Sequence, residues 1–170
     1  ALPIQRRIFG WEPWEPVTVL LKDFGDSGNA SARASPNNAV ILDIAPVSVA
    51  YDTFSPGERF FTLNNHEVTH VALMDVANDR DRFWRRFFSG KPSPVQEHPE
   101  SILYNYLTTP RTHVPRWYHE GSAVFMETWM AGGFGRAQGA YDEMVFRAMV
   151  RDDAHFYTPV GLDSEGIFID

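Results

Sequence analysis

Residues Leu63 to Asp75 read LNNHEVTHVALMD, and inside this stretch His66, Glu67 and His70 form the pattern H-E-x-x-H. On a helix, residues four apart are separated by about 40° around the axis and about 6 Å along it, so both histidines project from one face. Imidazoles at that spacing suit zinc. Glu67 is turned by about 100° from His66, which favours a general base beside a metal-bound water over a third ligand. The alternative is that two histidines share a helix by chance.

Helix signals surround this pattern. Ser55-Pro56-Gly57-Glu58 matches a capping box with proline at the first helical position, and the apolar pattern continues to about Ala77. The sequence therefore predicts that H-E-x-x-H lies in the middle of a helix. Capping, turn and periodicity signals predict four further helices, at about Arg80 to Phe88, Ser101 to Leu107, Arg116 to Met130 and Ala137 to Arg151.

Strand signals are confined to the first part of the chain. Val17 to Leu21 is apolar and β-branched, and Ala39 to Pro46, AVILDIAP, reads as a second strand. Between them, Asp23 to Asn38 is rich in Gly, Ser, Asn and Asp, which predicts a loop. A proline that closes a strand suits an edge position, because proline donates no ladder hydrogen bond. We therefore expect a single α+β domain over 1–170, with a sheet-containing part at 1–54 packed on the H-E-x-x-H helix and a mainly helical part at 55–170.

Composition excludes several classes of protein. At 170 residues, with 44% hydrophobic and 22% charged residues, the chain has the composition of one globular domain. No apolar run approaches the roughly 20 residues that a membrane span requires, so we expect no span. A net charge of -7 without a block of basic residues argues against nucleic acid as a partner. The absence of cysteine leaves histidine and carboxylate as metal ligands and gives no indication of the compartment.

The two ends of the sequence suggest processing and a larger parent. The first residue is Ala1 and no signal-peptide pattern follows, so any targeting segment has been removed or lay upstream. We expect an extracytoplasmic location, periplasmic or secreted. The last residues, GIFID, stop within an apolar, strand-like run. We expect a fragment of a longer protein.

A catalytic zinc site needs a third protein ligand. The pattern H-E-x-x-H-x-x-G-x-x-H fails, because Leu73 and Val76 stand where glycine and histidine would be. A later predicted helix, however, contains Trp117-Tyr118-His119-Glu120-Gly121-Ser122-Ala123. A carboxylate and an imidazole are therefore available there, at Glu120 and His119.

The two stretches together resemble the gluzincin zinc metallopeptidases, in which H-E-x-x-H is completed by a glutamate within W-x-x-E-G-x-A on the following major helix. The similarity is closest to the bacterial peptidase-MA-like domains. It implies a zincin-like fold, Zn²⁺ as cofactor, His66, His70 and Glu120 as zinc ligands, and Glu67 as general base. His119 remains the alternative to Glu120. In aminopeptidases of the same clan a second acidic residue often follows seven positions later, which implies a ligand-orienting role for Glu127.

The resemblance also implies a binding edge and an oxyanion donor. The family holds an extended peptide against an edge strand ahead of the active-site helix, and Ala39 to Pro46 is our candidate, with substrate antiparallel to it. A later tyrosine or histidine stabilises the oxyanion, commonly in Tyr-x-x-Gly, which this chain lacks. Tyr141, His155 and Tyr157 are the candidates for this catalytic role.

Three functions compete at this point. The first is a zinc-dependent peptidase that acts on a peptide or protein substrate. The second is a non-catalytic zincin-fold module that binds a peptide or protein partner, against which the intact Glu67 argues. The third is a helical domain without metal. If the oxyanion donor lies beyond Asp170, the zinc site should assemble and the isolated chain should hydrolyse peptides weakly.

Overall fold

The computed structural model describes residues 2–26, 28–45, 59–108 and 114–152. These residues form a three-stranded sheet and six α-helices, so the protein belongs to the α+β class. In chain order the elements are α1 (Leu2–Phe9), β1 (Thr18–Lys22), β2 (Ala30–Arg33), β3 (Ala39–Asp43), α2 (Arg59–Asp75), α3 (Asp79–Phe87), α4 (Pro99–Leu107), α5 (Arg116–Met130) and α6 (Ala140–Arg151), with a short 3-10 helix at Arg136–Gln138.

The sheet has the order β1-β3-β2, with β1 parallel and β2 antiparallel to β3. The strand predicted at Ala39 to Pro46 is therefore central, and our prediction that it forms the binding edge is wrong. The prediction of a loop at Asp23 to Asn38 is also wrong in part, because β2 lies within it. Pro46, on which the edge argument depended, is outside the described residues.

β2 escaped prediction because its residues, Ala-Ser-Ala-Arg, include none of the branched or aromatic types that favour strands. It forms because its backbone pairs with β3 while Ala30 and Ala32 pack against the core below. Ser31 and Arg33, the alternate residues, are exposed. The alternation of small apolar and polar residues was the available signal, and it is a weak one over four residues.

The hydrophobic core lies between β3 and α2. Its buried members are Trp11, Val40, Leu42, Leu63, Val68, Val71 and Ala72. Val40 and Leu42 face the helix from the central strand, and the α2 residues recur at helical spacing along one side. This packing turns the opposite side of α2, which carries the histidines, away from the core and toward α5.

A buried polar cluster holds the C-terminal end of α2. The carboxylate of Asp75 is fully buried and accepts hydrogen bonds from Trp11 Nε1 at 2.9 Å and Asn38 Nδ2 at 2.9 Å. Arg85 Nη1 and Lys91 Nζ each lie 2.9 Å from its other oxygen. One side chain thus ties α2 to the leading segment, the sheet, α3 and the loop after it.

The N-terminal helix α1 was not anticipated from the sequence. Its buried residue Gln5 donates through Nε2 to the carbonyl oxygen of Asn65 at 2.9 Å and to Thr69 Oγ1 at 3.0 Å. A helix of eight residues gains little from its own hydrogen bonds, so this docking on α2 stabilises it.

The remaining helices lie close to their predicted positions. α5 has the predicted bounds, α3 and α4 begin one and two residues earlier than expected, and α2 ends two residues earlier. The predicted capping box at residues 55–58 lies outside the described residues. The last helix begins at Ala140 instead of Ala137, because the chain first makes the 3-10 turn at Arg136–Gln138. In the described ranges, no helix is long and apolar enough to cross a membrane.

Candidate metal centre

Helices α2 and α5 bring three potential metal ligands together. Nε2 of His66 and Nε2 of His70 lie 3.0 Å apart on one face of α2. From α5, Oε2 of Glu120 lies 3.4 Å from His66 Nε2 and 3.6 Å from His70 Nε2. Among the described residues, this is the group of His, Asp and Glu side chains whose ligand atoms converge closely enough to hold a metal ion.

The spacing of these atoms matches a tetrahedral site. Zinc bonds of about 2.0–2.1 Å in tetrahedral geometry place ligand atoms about 3.3–3.4 Å apart, and the three observed distances bracket that value. Two imidazoles and one carboxylate are also a donor set that zinc accepts while keeping a fourth position open. The residues present therefore fit a catalytic type of zinc centre.

The charges of the three groups are coupled. Hydrogen bonds from His66 and His70 hold the pKa of Glu120 far below its usual range. Burial alone would lower the pKa of His66, but its hydrogen bonds to Glu120 and Glu127 outweigh burial and raise the pKa above 6.5. The carboxylate of Glu120 is therefore ionised beside the two imidazoles.

Glu67 lies at the floor of the same cleft. It is buried, and it lines the cleft beside His66 and His70. Burial raises the pKa of Glu67 above its ordinary value, against the opposing charge of the two histidines. A carboxylate in this position is a stronger base than an exposed one.

The other nitrogen of His66 meets a second carboxylate. Nδ1 of His66 lies 2.9 Å from Oε2 of Glu127, which is fully buried on α5. Residues seven apart on a helix share a face, so Glu120 and Glu127 both point toward α2. A carboxylate on Nδ1 orients the ring and directs Nε2 toward the ligand cluster.

Arg136, at the start of the 3-10 turn, contacts both carboxylate oxygens of Glu127. Its Nε lies 2.7 Å from Oε1 of Glu127 and its Nη2 lies 2.8 Å from Oε2. This residue was not predicted from the sequence. A single arginine after a glycine-rich turn carries no local pattern, and His66 lies 70 residues away in the sequence.

The cleft has a volume of about 440 Å³ and combines the ligand cluster with the exposed edge of the sheet. Residues 28–32, which include three of the four residues of β2, line part of it. Asp43 N donates to Asn29 O at 2.9 Å, so the alternate residues Ala30 and Ala32 direct their backbone groups away from β3. The hydrogen-bonding edge beside the cleft is therefore β2, where the sequence had indicated β3.

Of the three predicted oxyanion donors, the structure describes Tyr141. Tyr141 lies on α6, is 56% exposed and does not line the cleft. Tyr157 and His155 lie outside the described residues, and their role stays a prediction. His119, the alternative ligand, has its ring centroid 6.0 Å from that of His70, and Glu120 is the residue that joins the cluster.

The chain matches no model of a known protein family, no curated protein and no solved structure.

Proposed function

We propose that this protein is a zinc-dependent peptidase with a zincin-like fold, of the gluzincin type. One observation carries the proposal. Ligand atoms of His66, His70 and Glu120 converge from two helices to within 3.6 Å of one another, with the buried carboxylate of Glu67 beside them in a cleft. A structural zinc site closes its fourth position with protein, whereas this group of three opens on a cleft.

Zinc, when bound, supplies Lewis acidity that polarises a carbonyl group and acidifies water. Within the chain, His66, His70 and Glu120 would hold it. Glu67 is placed to take the proton from the attacking water and to pass that proton to the departing amine. Its raised pKa suits both steps, because burial makes the carboxylate a better proton acceptor than an exposed glutamate.

The edge of β2 offers free backbone groups with which an extended peptide can pair as an added strand. Ala32 directs both its backbone N–H and its C=O outward, and Ala30 directs its C=O outward, while Ala30 N is already bonded to Asn29 Oδ1 at 2.8 Å. A substrate strand pairing with these groups would run past the ligand cluster.

Metal analysis and a peptidase assay on matched variants test the proposal. We expect about one zinc per chain, lost in the double variant His66→Ala/His70→Ala. Glu67→Gln should retain zinc and lose hydrolysis by about 10²- to 10⁴-fold, because it removes only the base. Glu143→Gln makes the same chemical change on the exposed surface of α6 and should alter neither property.

The outcomes separate the competing functions. Zinc content that is the same in the double variant would refute the ligand assignment. Zinc binding without hydrolysis of any peptide in a mixed library, together with equal behaviour of wild type and Glu67→Gln, would identify the protein as a non-catalytic module. Absence of metal from protein purified without chelators and incubated with zinc would refute a metal site altogether.

A further inference from the structure

The turn between α5 and α6 delivers one arginine to the buried side of the metal site. We propose that Arg136 is a positioning residue for the metal ligand His66 and acts through the carboxylate of Glu127. The inference rests on the metal site of the proposed function, and it is independent of whether that site hydrolyses peptides.

The first observation is the geometry of the ion pair. Two nitrogens of the guanidinium of Arg136 contact the two oxygens of Glu127, at 2.7 Å and 2.8 Å, which fixes the plane of the carboxylate. The backbone nitrogen of Arg136 adds a contact of 3.4 Å to Oε1. Glu127 is fully buried, and a buried carboxylate is strongly unfavourable without a cation and hydrogen bonds. The arginine therefore determines both the charge and the orientation of Glu127.

The second observation concerns the proton on His66. Glu127 Oε2 and Arg136 Nη2 each lie 2.9 Å from Nδ1 of His66. A guanidinium has no acceptor, so a proton on Nδ1 can be donated only to the carboxylate. In that arrangement Nε2 carries a lone pair directed at the metal position. In the opposite tautomer Nδ1 accepts from Arg136 and Nε2 carries the proton, which excludes a metal. A fixed, ionised Glu127 favours the first arrangement, and Arg136 provides it.

The third observation is the construction of the turn. Gly132 and Gly133 have φ of +70° and +93°, the left-handed region that favours glycine. At Gly135, a Cβ atom would lie 2.5 Å from Thr128 Cα, so only glycine allows the chain to return this close to α5. Ala137 N then donates to Thr128 Oγ1 at 3.1 Å. The turn is thus fastened to the residue next to Glu127, and this attachment directs the arginine inward.

The direction of the effect on zinc affinity is decisive. If Arg136 acted only as a charge near the metal, its removal would strengthen binding of Zn²⁺, because like charges repel. If it positions Glu127 and His66, its removal weakens binding. Loss of such an outer partner typically lowers metal affinity by about 10- to 100-fold.

The test is the dissociation constant for Zn²⁺ of the whole chain, measured by competition with a chromophoric chelator at pH 7.5. We expect Arg136→Gln to weaken affinity about 10- to 100-fold and Arg136→Lys to weaken it less, because lysine keeps the charge and loses the fork. Arg147→Gln removes the same charge from the exposed face of α6, where Arg147 pairs with Glu143, and should leave affinity unchanged.

A double variant distinguishes action through Glu127 from a general structural effect. If the arginine acts through Glu127, Glu127→Gln/Arg136→Gln should bind zinc no more weakly than Glu127→Gln alone. Gly135→Ala leaves every ligand in place and displaces the turn, and it should weaken affinity in the same direction. If Arg136→Gln fails to fold, as judged by circular dichroism, Arg136→Lys and Gly135→Ala decide the question.

Unchanged or tighter zinc binding in folded Arg136 variants would overturn the inference, and so would losses that add in the double variant. Wild-type protein that binds no zinc would overturn it together with the metal site. Zinc binding that follows the expected pattern in a protein without hydrolytic activity would remove only the proposed peptidase function. If the wild type hydrolyses peptides and Arg136→Gln binds zinc as tightly as wild type, only the positioning role of Arg136 is refuted.

Discussion

Replacement of Asp75 by asparagine is the sharpest test of what holds the fold together. The side chain is fully buried at the end of α2 and contacts two cations, Arg85 and Lys91, through one oxygen. Its other oxygen accepts from Trp11 and Asn38, and from the backbone N–H of Trp14 at 3.1 Å. Asparagine keeps the shape, removes the charge and turns an amide donor toward groups that are themselves donors.

The contacts of Asp75 indicate how much the free energy of unfolding should fall in Asp75→Asn. Removing one partner of a buried ion pair typically costs about 3–5 kcal/mol. Two contacts moderate the cost here, because Lys91 Nζ retains Glu15 Oε1 at 2.9 Å and Arg85 Nη1 retains the carbonyl oxygen of Asp75 at 3.0 Å. We therefore expect about 3 kcal/mol in the free energy of unfolding, which corresponds to a fall of about 6–12 °C in Tm for a chain of this size.

Thermal and urea unfolding followed by circular dichroism measure this change. The matched control is Asp26→Asn, the same chemical change at an exposed position, with an expected effect within about 0.5 kcal/mol. A fall in Tm of Asp75→Asn that equals that of the control would refute the reasoning, because the cluster would then contribute no net stability.

The pH dependence supplies a second check. Burial alone would raise the pKa of Asp75, but Lys91, with hydrogen bonds from Trp11 and Asn38, holds its pKa below the ordinary 3.8. The unfolded chain therefore takes up this proton first as pH falls. The contribution of Asp75 to stability should be complete above the ordinary value and should disappear as pH drops through the lowered one. A difference between wild type and Asp75→Asn that grows toward acid pH would contradict the assignment.

Two further predictions concern the cleft. Ala32→Pro removes an N–H that points away from β3, so it should raise KM for peptides by roughly 2- to 10-fold with little change in Tm. The control Ser31→Pro removes an N–H of the β2–β3 ladder and should lower Tm. Equal KM values for wild type and Ala32→Pro would exclude β2 as the strand that pairs with the peptide. Zinc affinity should fall as pH drops, beginning above pH 6.5, because the raised pKa of His66 makes a proton compete with the metal. Chelator competition at several pH values measures this dependence. Zinc affinity that stays constant between about pH 5.5 and 7.5 would contradict His66 as a ligand.

Local patterns explain which parts of the site could be read from the sequence. His66 and His70 project together because any helix places residues four apart on one face, and Glu120 lies on a helix whose bounds the sequence predicted correctly. Their convergence then depends on one packing event, between α2 and α5. The resemblance in residues 117–123 pointed to Glu120, and in the structure this carboxylate lies at the cluster.

The features that were missed all depend on contacts between distant segments. β2 has almost no intrinsic strand preference and is held by pairing with β3. Asp75 meets partners that are between 10 and 64 residues away, and nothing near it in the sequence marks it as buried. Arg136 reaches His66 only because a turn rich in glycine folds back on α5. Side-chain chemistry alone does not reveal such positions, because each depends on the completed fold.

The polar groups along α2 should differ in their effect on the proposed metal site. The apolar side of the helix and Asp75 fix it to the sheet and to the loop after α3, whereas its histidine side contacts α5 through His66 and Glu127. Buried polar contacts of this kind fix one geometry, and loss of one partner leaves the other buried without its counter-charge. Changes at Asp75 should therefore lower Tm and leave the zinc affinity of the folded protein unaltered. Changes at Arg136 should lower zinc affinity as well as Tm, because they disturb the orientation of His66 at the proposed metal site and leave Glu127 buried without its cation.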